Sequence, residues 1–104
     1  MTLLLLICCH YLCDFPLQGE FVSKYKAKYI NGNYNPIWYH VLIAHSVIHT
    51  LPVLLITDSW ALGLWMFVSH FAIDYLKCAK VITFNQDQFL HGLVILSIWA
   101  LTII

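Results

Sequence analysis

Four stretches dominated by apolar residues run along the chain, at about 1–15, 40–57, 60–76 and 88–104. Each holds about 15 to 18 residues, near the lower end of what crosses a hydrocarbon core of about 30 Å. The pattern predicts four short transmembrane helices, a length that suits a compact bundle with local thinning of the bilayer. The first stretch lacks the basic leader and small-residue cleavage site of a signal peptide, and Asp14 falls at the wrong place for one. It reads as a retained helix.

The connections differ in character. Thr57-Asp58-Ser59 is a tight turn, so the second and third helices form an antiparallel hairpin. Residues 16–39 form a longer segment in which Lys24, Lys26 and Lys28 alternate with Tyr25, Tyr29, Tyr34, Trp38 and Tyr39, a blend suited to the headgroup level of a bilayer. Leu17, Phe21 and Tyr25 recur at helical spacing and predict a short interfacial helix. Asn31-Gly32-Asn33 and Asn35-Pro36 then mark a turn. The last connection, roughly 77–87, carries Lys77 and Lys80.

Composition sharpens this picture. Of 104 residues 62% are apolar and 10% charged, and five Lys balance five acids with no Arg. An ordinary soluble domain is about 25% charged. A chain this small and this apolar cannot cover a wet surface, which excludes a cytosolic globular enzyme, a disordered segment and a binder of nucleic acid. All five Lys fall in the first and third connections, one side of an up-down bundle. The positive-inside rule makes that side cytoplasmic, with both termini outside. The Cys count of four does not read as a disulfide framework in such a chain. The expected fold is all-α: one polytopic domain, 1–104, forming a four-helix transmembrane bundle.

Polar residues inside the spans are the main finding. His10 and Asp14 lie in the first, His45 and His49 in the second, His70 and Asp74 in the third, Asp87 and His91 in the fourth. Each is an i, i+4 pair, which stacks both side chains on one helical face. Ionisable groups in a membrane cost at least about 2.5 kcal/mol each, so they face the bundle interior and find partners. Counting along helices at about 1.5 Å per residue groups them into two layers. His10, His49, His70 and His91 form the outer layer; Asp14, His45, Asp74 and Asp87 form the one nearer the Lys side. His10-Tyr11-Leu12-Cys13-Asp14-Phe15 also repeats as His70-Phe71-Ala72-Ile73-Asp74-Tyr75, which predicts two pseudo-symmetric halves.

Five imidazoles and three carboxylates are borderline nitrogen and hard oxygen donors, a mix that suits Zn, Mn, Fe or Ni. Helical bundles build two-metal sites from such inward-facing pairs, with ions about 3.5 to 4 Å apart and a water between them ready for hydrolysis. Lys77 and Lys80 then meet an anionic substrate at the cytoplasmic mouth, Lys77 being the residue singled out for that contact. The expected function is a membrane-embedded, dinuclear metal-dependent hydrolase acting on a lipid or phosphoester.

Three other readings use the same residues. A metal-ion carrier or sensor would bind the ion transiently, and Pro52 is the one hint of a broken helix. A haem protein would use paired His, though acids beside the axial ligands disfavour it. A non-enzymatic membrane-interaction protein would use the cluster as a structural metal site or a polar network. His40 lies off the face of the pair and reads as a surface residue; Cys13 reads as the one thiol within reach of the site. Gly63 and Gly92 read as close-packing positions, and the small bundle leaves room for homo-oligomers.

The motifs H-x-x-x-D-F-P-L-Q, H-x-x-x-H, H-F-x-I-D-Y-x-K and D-Q-F-L-H, in that order, resemble a family of small bacterial and phage integral membrane proteins catalogued as a domain of unknown function. More distantly the chain is similar to predicted membrane-bound metal-dependent hydrolases. The resemblance implies a bacterial inner-membrane location. It places His10, Asp14, His45, His49, His70, Asp74, Asp87 and His91 at family positions, with Gln18, Lys77 and Gln88 beside them.

Overall fold

The computed structural model describes residues 1–104, and it is all-helical apart from one two-stranded hairpin. In chain order the elements are α1 (Thr2–Asp14), α2 (Gly19–Tyr25), β1 (Tyr29–Ile30), β2 (Asn33–Tyr34), α3 (Trp38–Thr57), α4 (Trp60–Cys78) and α5 (Phe84–Thr102). The four long helices close a ring: α3 packs on α1 and α4, and α5 packs on α4 and α1. The result is a rod with extents of 46 × 23 × 22 Å.

Local chemistry accounts for the breaks. Gly19, at φ 71°, allows the chain to turn 83° from α1 into α2. Asn31 and Gly32 both have positive φ, as a two-residue hairpin turn requires, and they set Tyr29 opposite Tyr34. Asp58 ends α3 in the left-handed region, and the Ser59 hydroxyl accepts from the Leu62 amide to start α4. Thr83 and Gln86 cap α5 reciprocally, which moves its start to Phe84, four residues before the stretch predicted from hydropathy.

Pro52 lies inside α3 and has no N–H to donate to the carbonyl of Ile48. The Cys13 thiol of α1 takes that place, its Sγ 3.7 Å from the Ile48 oxygen. Cys13 therefore points at the α3 backbone, where it ties α1 to α3 at the proline.

The interior is inverted relative to a soluble domain. An apolar cluster of Leu6, Val53, Met66, Ile73, Val94, Ile95 and Ile98 fills part of it. The remaining buried positions are mainly polar: all eight His and Asp residues of the i, i+4 pairs, with Lys26, Asn35, Ser46 and Ser69. Outside, large apolar side chains face away from the protein, among them Leu55 at 77% exposure and Phe89 at 67%. Of the four stretches predicted to span, α3 is long and apolar enough to cross a membrane by itself, and α1 with α2 passes the same test as a bent pair. Hydropathy averages over all faces of a helix, so inward polar residues on α4 and α5 lower it whatever their outer faces carry.

Candidate metal centre

The bundle brings all eight predicted ligands together. From α1, α3, α4 and α5 come His10, His49, His70 and His91, and their rings form a closed circuit. Ring centroids are 5.0 Å apart from His10 to His49, 3.7 Å from His49 to His70, 4.5 Å from His70 to His91 and 5.0 Å from His91 to His10. The i+4 positions supply the second layer. His45 Nε2 stands between Asp14 Oδ1 at 3.3 Å and Asp74 Oδ2 at 3.4 Å. All eight residues are less than 9% exposed.

Three overlapping donor sets have their ligand atoms within 4.8 Å of one another: Asp14–His45–His49–His70, His10–His70–His91 and Asp74–Asp87–His91. Together they use every predicted ligand.

Hydrogen bonding leaves much of this cluster unsatisfied. His49 Nε2 bonds to Asp14 Oδ1 at 2.9 Å, and the Gln88 amide reaches Asp87 Oδ2 at 3.0 Å. Both nitrogens of His10, His45 and His70, with His91 Nε2 and Asp87 Oδ1, have no hydrogen-bond partner in the protein. Several lie near a carboxylate, such as His10 Nε2 at 3.3 Å from Asp14 Oδ2 and His91 Nε2 at 3.3 Å from Asp87 Oδ1, without the angle of a hydrogen bond. A buried polar atom left unpaired costs about 1–3 kcal/mol. Eight of them amount to on the order of 10 kcal/mol, as much as the net stability of a whole domain, roughly 5–15 kcal/mol. A cation bound by the lone pairs would remove part of that cost, one nitrogen per imidazole, and a nitrogen-rich donor set with carboxylates fits a borderline divalent transition metal.

Lys77 is not part of the centre. Its Nζ lies 5.3 Å from the centre of the Phe84 ring, at the junction of α4 and α5. His40 is exposed, its ring tilted 33° to that of Tyr39 with centroids 4.2 Å apart. The lysine that does enter is Lys26, which the sequence pattern assigns to the headgroup level. It is 3% exposed, and its Nζ donates to Asp74 Oδ2 at 2.8 Å and to the Gln18 side-chain oxygen. Gln18 in turn donates to the Asp14 carbonyl at 3.0 Å. Two sequence signals pointed to an ordered loop here: Asn31-Gly32, a hairpin turn, and Asn35, a side chain able to pin backbone carbonyls.

Neither a curated protein nor a solved structure matches the chain. A family model does, over residues 2–104, and the chain belongs to the family it describes, a protein of unknown function (DUF3307).

Proposed function

We propose that the chain is a membrane-embedded, metal-dependent hydrolase whose His/Asp cluster holds a divalent transition metal and acts on a lipid. The observation that carries this reading is the set of buried imidazole nitrogens without protein partners. Of the three donor sets, His10–His70–His91 suits the catalytic ion best. It offers three imidazoles, each with an unpaired nitrogen, a donor set of the kind that hydrolytic metals use. These three residues would hold the metal, which when bound would activate water for hydrolysis at neutral pH. Asp14 and Asp87, beside His10 and His91, would balance the charge of the bound ion.

Lipid as the substrate class is supported by a cleft of about 320 Å³ between α1 and α5. Leu3, Ile7, Leu93 and Leu96 make its walls apolar, and His10 and Gln88 also line it. An acyl chain lying there would place its headgroup linkage at the imidazole of the proposed metal site. The membrane reading is supported by the inverted interior and the apolar outer faces. In the proposed orientation both termini face outward and the Lys-bearing end faces the cytoplasm. Lys28 of the first connection and Lys80 of the last line one polar cleft, so both connections lie at the same end.

The experiment is purification in detergent after metal-replete growth, elemental mass spectrometry, and a screen of ester and phosphoester lipids with His70→Ala and His91→Ala variants. Bound transition metal and an activity that both variants abolish are expected. Metal-free native protein, or an activity indifferent to both substitutions, overturns the proposal. Reporter fusions at each terminus and in 16–37 test the orientation.

A further inference from the structure

We infer that the cluster holds one divalent cation per chain, and that Lys26 is its second, protein-borne cation. The inference rests on the metal reading above and fixes its stoichiometry. Lys26 comes from outside the four-helix ring, at the C-terminal end of α2, yet it is as buried as the ligands themselves. Its ammonium donates to Asp74 at 2.8 Å and to Gln18, so it occupies the Asp74 corner of the Asp74–Asp87–His91 donor set.

This insertion is held by built structure. The Asn35 side-chain amide donates to the carbonyls of Tyr25 at 2.7 Å and Ala27 at 3.1 Å, the two residues that flank Lys26. The Asn35 backbone amide donates to the Lys28 carbonyl at 2.8 Å, and Asn35 is itself 6% exposed. The hairpin of β1 and β2 brings Asn35 back to this place. A lysine needed only at the surface requires none of these bonds.

Charge decides the number of ions. The cluster buries Asp14, Asp74 and Asp87 against one ammonium, with imidazoles that are neutral when they act as ligands. Two negative charges remain, the charge of one divalent ion. A low-dielectric interior tolerates little excess in either direction. Two divalent ions overshoot by two charges while Lys26 is in place and by one without it. The second ion and Lys26 compete for Asp74, so it is the release of Asp74, together with that smaller excess, that would admit a second ion.

The test is metal stoichiometry by elemental mass spectrometry on detergent-purified protein, with zinc as the metal supplied. One equivalent is expected in the native chain and in Lys26→Arg, and two in Lys26→Gln. One equivalent is expected again in Lys26→Gln/Asp74→Asn, which removes the ion pair as a unit. Two equivalents in the native chain, or one in folded Lys26→Gln, overturn the inference. If Lys26→Gln does not fold, the native chain and the double variant decide, and two equivalents in either overturn it. A native chain with no zinc is a different result: it overturns the metal reading itself.

Discussion

His49 of α3 and His70 of α4 lie face to face, with ring centroids 3.7 Å apart and planes 25° from parallel. Two imidazoles this close cannot both take a proton without strong repulsion, and their nitrogens remain available as ligands. His70 belongs to two of the three donor sets. His70→Ala should therefore weaken metal binding by more than the about 100-fold upper range of an indirect, outer-sphere change. His40→Ala, at an exposed ring beside Tyr39, should leave it unchanged. Competition against a chromogenic chelator measures both.

Metal removal should cost stability as well as activity. A ligand present at about 1,000 times its dissociation constant stabilises the folded state by about 4 kcal/mol. For a domain near this size each kcal/mol moves Tm by about 4–8 °C, so a chelator should lower Tm by roughly 15–30 °C. Readdition of metal should restore it. Circular dichroism melts in detergent give the comparison, and a Tm indifferent to chelator would contradict a metal that satisfies the buried nitrogens.

Asn35→Ala deletes two hydrogen bonds to the backbone around Lys26. The expected cost is about 1–3 kcal/mol, and the loop should loosen without unfolding the bundle. Amine-reactive labelling with peptide mapping should then show Lys26 modified in Asn35→Ala and protected in the native chain. Exposed Lys24 should react in both.

The two helical glycines should respond in opposite ways. A Cβ at Gly63 falls 2.9 Å from Leu54 Cγ, so Gly63→Ala should overpack the α3–α4 contact and cost about 1–3 kcal/mol. A Cβ at Gly92 meets nothing within 4 Å and enters the α1–α5 cleft. Gly92→Leu should leave Tm unchanged and raise KM for a long-chain lipid substrate, with little effect on a short-chain analogue.

Helix number and the eight inward residues were legible because both follow simple periods: apolar stretches for the helices, i, i+4 spacing for the pairs. The Asp58 turn was legible because three polar residues interrupt the apolar run. Lys26 was not, because a lysine in a segment rich in Lys and Tyr has the composition of an interfacial loop, and its burial depends on Asn35 nine residues later. The surplus of three carboxylates over any cation in the cluster was the signal that a lysine belonged there. Cys13 was within reach of the site by spacing, but the carbonyl freed by Pro52 on another helix claims its thiol. The start of α5 was misplaced because Asn85, Gln86 and Asp87 look like a loop until Thr83 and Gln86 are recognised as a reciprocal cap.

The left-handed turn at Asp58 divides the chain into two segments that are each half a chelator. His10, Asp14, His45 and His49 precede it; His70, Asp74, Asp87 and His91 follow it. Two of the three donor sets, Asp14–His45–His49–His70 and His10–His70–His91, draw on residues from both sides of the turn, and so does the circuit of four imidazoles. If the cluster holds a metal, coordination by those shared sets would depend on both segments having docked, which would tie chelation to completed assembly.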